Sequence, residues 1–265
     1  MNTSNILLLI IATQALFASV NLAFDDSENA LKSQNVLSKS EIIQLNGAIG
    51  PESVAFDPNG EGPYIGVADG RILKFQGSYW TDFAVTSSRR ENCTLPFAPE
   101  MEHICGRPLG LRFDTKTGEL YIADAYFGIQ VVGPKGGLAT PLVQKLEGKP
   151  LVFTNDVDID DHDDVIYFTD TSTSSTSNKI TIEFFKFGNG KCIVEAPFIV
   201  QQLDDLLSGG LLHATAIKLS EDGRVLEVLE DIEGKTLRSI SEVQEKYGKL
   251  WFGSVMMPFL GLYGF

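Results

Sequence analysis

Apolar and polar residues alternate over short runs along most of residues 41–265, and Gly, Asn and Asp punctuate the runs. A two-residue period of this kind predicts half-buried strands joined by tight turns. Helical spacing is scarce. The best short helix candidate is "QQLDDLLSGG", residues 201–210, which ends at a glycine stop.

The strands repeat. "FDPNGEGPYIGVAD" from Phe56, "FDTKTGELYIAD" from Phe113 and "IDDHDDVIYFTD" from Ile159 share one plan. An apolar residue and Asp precede a six-residue polar turn, then come Tyr and a strand that ends in Asp. Asp57 and Tyr64, Asp114 and Tyr121, and Asp160 and Tyr167 are each seven apart. The repeats begin 57 and 46 residues apart, near the length of a β-propeller blade. Each blade's outer half follows more loosely, as strand, Gly-containing turn and strand: "GRILKFQGSYWTDFAV", "GIQVVGPKGGLATPLV", "EFFKFGNGKCIVEAPF" and "AIKLSEDGRVLEVLED". A last inner half reads "ISEVQEKYGKLWFGS", and "SEIIQLNG" near the N-terminus is placed to supply an outer strand that closes the ring. The pattern predicts an all-β propeller lacking about a blade and a half around residues 201–213.

The stretch "FTNDVDIDDHDDVIYFTD" carries seven aspartates in residues 153–170. An EF-hand loop starting at Asp156 fails, because Asp161 stands where Gly is required and Tyr167 where Glu is required. In register with the repeats, "TNDVDID" is an inner strand, and Asp161, Asp163 and Asp164 belong to a solvated turn. Inner strands converge on the central channel. Glu52, Asn155 and Asp156 are therefore placed to share it, and such oxygen donors suit Ca²⁺. The alternative is that Asn155 and Asp156 cap turns and Glu52 is a rim charge.

Composition adds a compartment. Residues 6–23 are apolar and free of charge, with Ala18, Ser19 and Ala23 near the end. They read as a cleavable signal peptide over residues 1–23, followed by a polar segment 24–40 and the propeller domain 41–265. After cleavage no membrane span is expected. The net charge is −14, which repels nucleic acid and leaves a small-molecule ligand as the expected partner. Of three cysteines, Cys93 and Cys105 enclose a short loop and are the natural pair, leaving Cys192 as a free thiol. Asn92 opens a glycosylation sequon. His103, His162 and His213 are too scattered to pair, and Trp80, Tyr126, Phe127 and Phe259 read as pocket lining or core. No serine-nucleophile elbow, zinc motif or phosphate loop is present.

"GPESVAFD", "GRPLGLRFD", "LYIADAYFGIQVVGPKGG", "FTNDVDID", "KLSEDGRVLEVLED" and "GKLWFGSVMMPFLGLY" together resemble plant strictosidine synthase-like proteins over nearly the whole mature chain. The resemblance implies a six-bladed propeller related to paraoxonase- and gluconolactonase-type hydrolases, here internally truncated, with the Cys93–Cys105 bridge. It implies the secretory route to vacuole or cell exterior. Glu52, Asn155 and Asp156 match part of the calcium ligand set of the related hydrolases, so a weak, incomplete Ca²⁺ site is expected. Strictosidine synthase itself, an enzyme of alkaloid biosynthesis, condenses tryptamine with secologanin and uses a glutamate of the last blade as its acid–base group. Alignment of the last blade puts Arg238 or Ser239 there, and Glu242 and Glu245 on the next strand, facing solvent. A fixed guanidinium cannot take a proton. The resemblance thus implies hydrolase-type activity on a small ester or lactone in place of synthase activity. The alternatives are a non-catalytic propeller or binding module, or the synthase reaction itself.

Overall fold

The computed structural model describes residues 33–93, 99–146, 148–160, 162, 165–174, 179–188, 191–200, 214–220 and 224–264, with residues 171–200 as backbone strands only. The expected signal peptide, Asp161, Asp163, Asp164, the Cys192 thiol, His213 and the helix candidate at 201–210 lie outside what is described. Among the described residues no helix is long and apolar enough to cross a membrane.

The alternating segments form antiparallel sheets in chain order, as blades do. The first blade runs Val54–Ala55, Tyr64–Gly66, Arg71–Phe75 and Trp80–Val85. The second is Pro108–Phe113, Leu120–Asp124, Gly128–Val132 and Thr140–Val143. The third is Thr154–Asp160, Val165–Ser174, Lys179–Gly188 and Lys191–Val200. A two-stranded sheet, Ala214–Leu219 with Val225–Asp231, corresponds to the lone outer half. The closing blade joins both ends of the chain. Glu41–Gln44 pairs with Phe259–Gly264, which continues through Lys249–Gly253 to Glu242–Lys246. The N-terminal strand thus has the closing role expected of "SEIIQLNG". The fold is an all-β propeller of shortened form.

One hairpin departs from the expected pattern. Within "GIQVVGPKGGLATPLV", Gly137–Leu138 leaves its own blade and pairs in parallel with Ala84 and Val85 of the first. Thr140–Val143 then returns to Gly128–Val132. Gly136 and Gly137, both at positive φ, give the chain the freedom to swing across.

Among the described residues, four apolar clusters bond neighbouring sheets. Tyr64 and Ile72 of the first blade pack with Phe113 and Ile122 of the second, and Ile129 and Phe168 join the second to the third. Ile65 and Leu73 meet Trp251 and Leu262 of the closing blade. Ala216 and Leu229 meet Phe252 across the last seam. A fully buried aliphatic or aromatic side chain contributes about 1.5–3 kcal/mol, so these seams hold the ring. Trp80 and Phe259 flank such clusters as wall, not pocket lining.

The two aspartates of each repeat divide their work. The first holds the turn: Asp57 accepts amides of Asn59 and Glu61, and Tyr64 donates to it at 3.0 Å. Asp114 accepts from Lys116 and Thr117, and Asp160 from His162, which is exposed. The second is buried; in the first repeat Asp69 pairs with Arg71 and Arg90, and in the later ones it gathers orphan amides. Asp124 accepts the N–H groups of Arg107, Tyr126 and Phe127. Asp170 accepts those of Val152 and Phe153 with the Thr154 hydroxyl. Asp231 repeats the device on Lys235, Thr236 and Leu237.

Cys93 and Cys105 are bonded, with Cα atoms 5.7 Å apart. Closing this loop of 12-residue separation is worth roughly 3 kcal/mol through the unfolded chain's entropy. The double variant Cys93→Ser/Cys105→Ser should lose that amount in reversible denaturant unfolding, and an unchanged midpoint would count against this entropic role.

Candidate functional site

The inner strands of the first, second, third and closing blades pack side by side, and Glu52, just before the first of them, meets Asp156 and Glu242 at the starts of two others, around the channel on which they converge. Two glycines allow the close approach. A Cβ on Gly110 would lie 2.7 Å from the Asp156 Cα, and one on Gly253 would lie 1.8 Å from the Glu52 carbonyl oxygen. Such contacts leave no room for a side chain. Gly253 is also the register partner of Glu242, so Glu242 stands beside the Glu52 backbone.

Three carboxylates from three blades thus share the channel. Glu52 is buried, and its Oε2 has no hydrogen-bond partner among the described residues. Burial raises its pKa well above the usual range, and the charges of Glu242 and Asp156 add to this while Arg107 opposes them. Asp156, half-buried, is lifted to about 6 by burial, against the Val157 amide that it accepts at 2.8 Å. Glu242 is lifted to about 8, first by burial and next by Asp156. Its Oε2 accepts the Val54 amide at 3.2 Å, and the Ser53 hydroxyl donates to it. That hydroxyl in turn accepts the Leu111 amide at 3.0 Å. Ser53 therefore ties the second blade to the carboxylate of the last.

Basic groups frame the trio. Arg107 is buried, donating to the Gly50 and Val255 carbonyls and lying 3.8 Å from Glu102. Arg112 pairs with Asp158 at 2.9 Å. Asn155 is half-buried next to Asp156, with its carbonyl oxygen against Gly110.

Two expectations change. Glu242 does not face solvent; the close seam with the first blade turns it into the channel. Arg238 lies outside it, exposed on the loop before the strand and donating to its own loop's Gly234 carbonyl. Its charge therefore gives no ground against amine chemistry. Glu245 is exposed as expected and pairs with Lys218. His103 contacts the Glu100 carbonyl away from the trio, and Asn92 is exposed in a turn at φ 65°.

The fit to Ca²⁺ is partial in kind and short in number. An orphaned buried carboxylate oxygen within an acidic cluster is what a cation site offers. Yet among the described residues no three His, Cys, Asp or Glu side chains are grouped tightly enough to hold a metal ion. Glu52, Asn155 and Asp156 alone fall below the six to eight oxygens that Ca²⁺ takes. The described residues do not make a calcium cage.

Residues 31–75 match the model "Strictosidine synthase-like, N-terminal". Protein STRICTOSIDINE SYNTHASE-LIKE 10 of Arabidopsis thaliana is 44% identical over 334 aligned positions, covering 87% of this chain and 89% of that protein. STRICTOSIDINE SYNTHASE-LIKE 3 of the same plant is 38% identical over 337 positions, covering 87% and 86%. Both alignments are longer than the 265 residues available here. The relatives therefore carry internal residues with no counterpart in this chain, as the missing blade and a half requires. A solved Thermus protein described as a "putative oxidoreductase (glucose dehydrogenase)" superposes with a TM-score of 0.46 at 16% identity, over 84% of this chain and 100% of that one. The identity and coverage of the Arabidopsis proteins are decisive: this chain belongs to the strictosidine synthase-like family, in an internally shortened form.

Proposed function

We propose that the chain hydrolyses small esters or lactones, with Glu242 taking the proton from the attacking water. The observation that carries this reading is a carboxylate held in a channel with its pKa lifted to about 8, where a general base works near neutral pH. The Val54 amide and the Ser53 hydroxyl fix the orientation of Glu242. As water adds to the substrate carbonyl, its proton passes to Glu242. Collapse of the tetrahedral adduct breaks the bond to the alkoxy oxygen, and protonated Glu52 supplies the proton that this oxygen needs, while Asp156 stays ionised and helps to raise the pKa of Glu242. Glu52 is held toward its protonated form by burial, so an acid stands beside the base. A secretory destination, vacuole or cell exterior, is part of the same proposal, and the Cys93–Cys105 bridge supports an oxidising compartment.

The test is a panel of aryl acetates and five- and six-membered lactones, run with chelator and with added calcium. Turnover should rise with pH toward a plateau above about 8, and Glu242→Gln should lower kcat by about 10²–10⁴-fold. Tryptamine with secologanin belongs in the panel and should give no strictosidine above a heat-killed control, because the missing internal residues remove channel walls. Ester turnover that Glu242→Gln leaves intact would overturn the assignment of the base.

A further inference from the structure

A second cleft, of about 250 Å³, opens away from the channel between the first and second blades. It forms because Gly137–Leu138 crosses to the edge of the first blade, leaving a gap behind the crossing. Its rim carries Arg89, Ser88, Leu138 and Pro141, its wall Phe127 and its floor Gln130.

Two polar groups in this cleft lack partners among the described residues. Gln130 is 2% exposed. Its amide nitrogen donates to the Thr86 carbonyl at 3.0 Å, which fixes the orientation of the amide, and its Oε1 has no donor. A buried acceptor left unpaired is costly, and a donor from a ligand relieves that cost. Arg89 is the second. The chain carries 35 acidic against 21 basic side chains, and its other framework arginines are engaged: Arg71 and Arg90 with Asp69, Arg107 with Glu102, Arg112 with Asp158. The Arg89 guanidinium is exposed and has no acidic partner among the described residues. The turn that carries it is fastened at Cys93, whose amide donates to the Arg90 carbonyl and whose sulfur is bonded to Cys105.

We infer that this cleft is a second ligand site, for a small carboxylate with an apolar or aromatic body and a hydroxyl group. Arg89 pairs with the carboxylate in the planar, charge-assisted manner that a guanidinium allows. Phe127, Leu138 and Pro141 cover the body, and the hydroxyl donates toward Gln130 at the floor. Three functions from three sides are what small-ligand sites combine. The site is independent of the channel carboxylates and does not depend on the hydrolase reading.

Isothermal titration of the disulfide-bonded protein with 4-hydroxybenzoate, benzoate and 4-hydroxybenzyl alcohol tests it. Saturable binding of 4-hydroxybenzoate is expected, at least tenfold tighter than that of the alcohol and several-fold tighter than that of benzoate. Arg89→Gln, at an exposed position that leaves the fold intact, should weaken it at least tenfold. Glu242→Gln should leave it unchanged. Absence of saturable binding, equal affinity in Arg89→Gln, or loss in Glu242→Gln would each overturn the site.

Discussion

Asp124→Ala is expected to destabilise the protein by about 3–5 kcal/mol, a large share of the 5–15 kcal/mol that holds a typical domain. The carboxylate is fully buried and accepts three amides, those of Arg107, Tyr126 and Phe127. Alanine leaves all three without an acceptor, and each unpaired buried group costs about 1–3 kcal/mol. The sum is less than additive, because water can reach part of the 125–127 loop once it loosens. A second loss follows from position. The Arg107 amide is one of the three, and the Arg107 side chain joins the Gly50 and Val255 carbonyls across the seam of the ring. Asp114→Ala is the control, since that carboxylate holds an exposed turn and should cost about 1 kcal/mol or less. Denaturant unfolding of both variants decides the matter, and equal costs would show that the second aspartate of the repeat is no anchor.

The contrast shows what the sequence made legible. The turn aspartates were readable because their partners lie two to four residues ahead, within one local motif. The buried ones read only as strand ends. Asp124 reaches back to Arg107, and Asp170 reaches back to Val152, across spans that no local pattern marks. The blade repeat and the closing role of residues 41–44 were legible because strand period and spacing are local and repeated. The channel was half legible. Glu52 and Asp156 followed from register, since both lie near the start of an inner strand. Glu242 was missed: "EVQEK" alternates without an apolar face, so it reads as solvated. Its environment comes from Gly253, its register partner, which lets the Glu52 backbone close over it. Arg238 was misplaced for a related reason. Its loop is held by Asp231 amide bonds and by the Arg238–Gly234 contact, which alignment by residue type does not reveal.

The same three channel carboxylates predict that the protein grows less stable as the pH rises through neutrality. For each, the folded state holds the proton more tightly than the unfolded chain does. Asp156 is lifted to about 6 and Glu242 to about 8, with Glu52 displaced the same way and Asp124 lifted to about 6 in its own pocket. Between the unfolded and folded pKa values the native state binds more protons, so unfolding free energy falls with increasing pH. The fall should begin above about pH 4 as Asp156 and Asp124 enter that window, and end only above about pH 8. Opposite behaviour is confined to strong acid. Asp114 and Asp231 are held below the usual range by the amides they accept, against a burial cost that pushes the other way. Their contribution is present above their unfolded pKa and is lost as the pH drops below it. The stability maximum is therefore expected near pH 4. Glu242→Gln isolates the upper limb. Glutamine keeps an oxygen for the Val54 amide and the Ser53 hydroxyl but cannot ionise, and it relieves Glu52 and Asp156 of a neighbouring charge. The variant should match the parent near pH 5 and exceed it at pH 8 by an amount on the order of 2 kcal/mol, since one pKa unit corresponds to about 1.4 kcal/mol and partial water access reduces the full shift. Thermal melts from pH 4 to 9 in the presence of chelator measure both curves. A parent melting temperature that climbs from pH 5 to 8, or a variant curve parallel to it, would mean that the channel admits enough water to keep Glu242 an ordinary surface carboxylate.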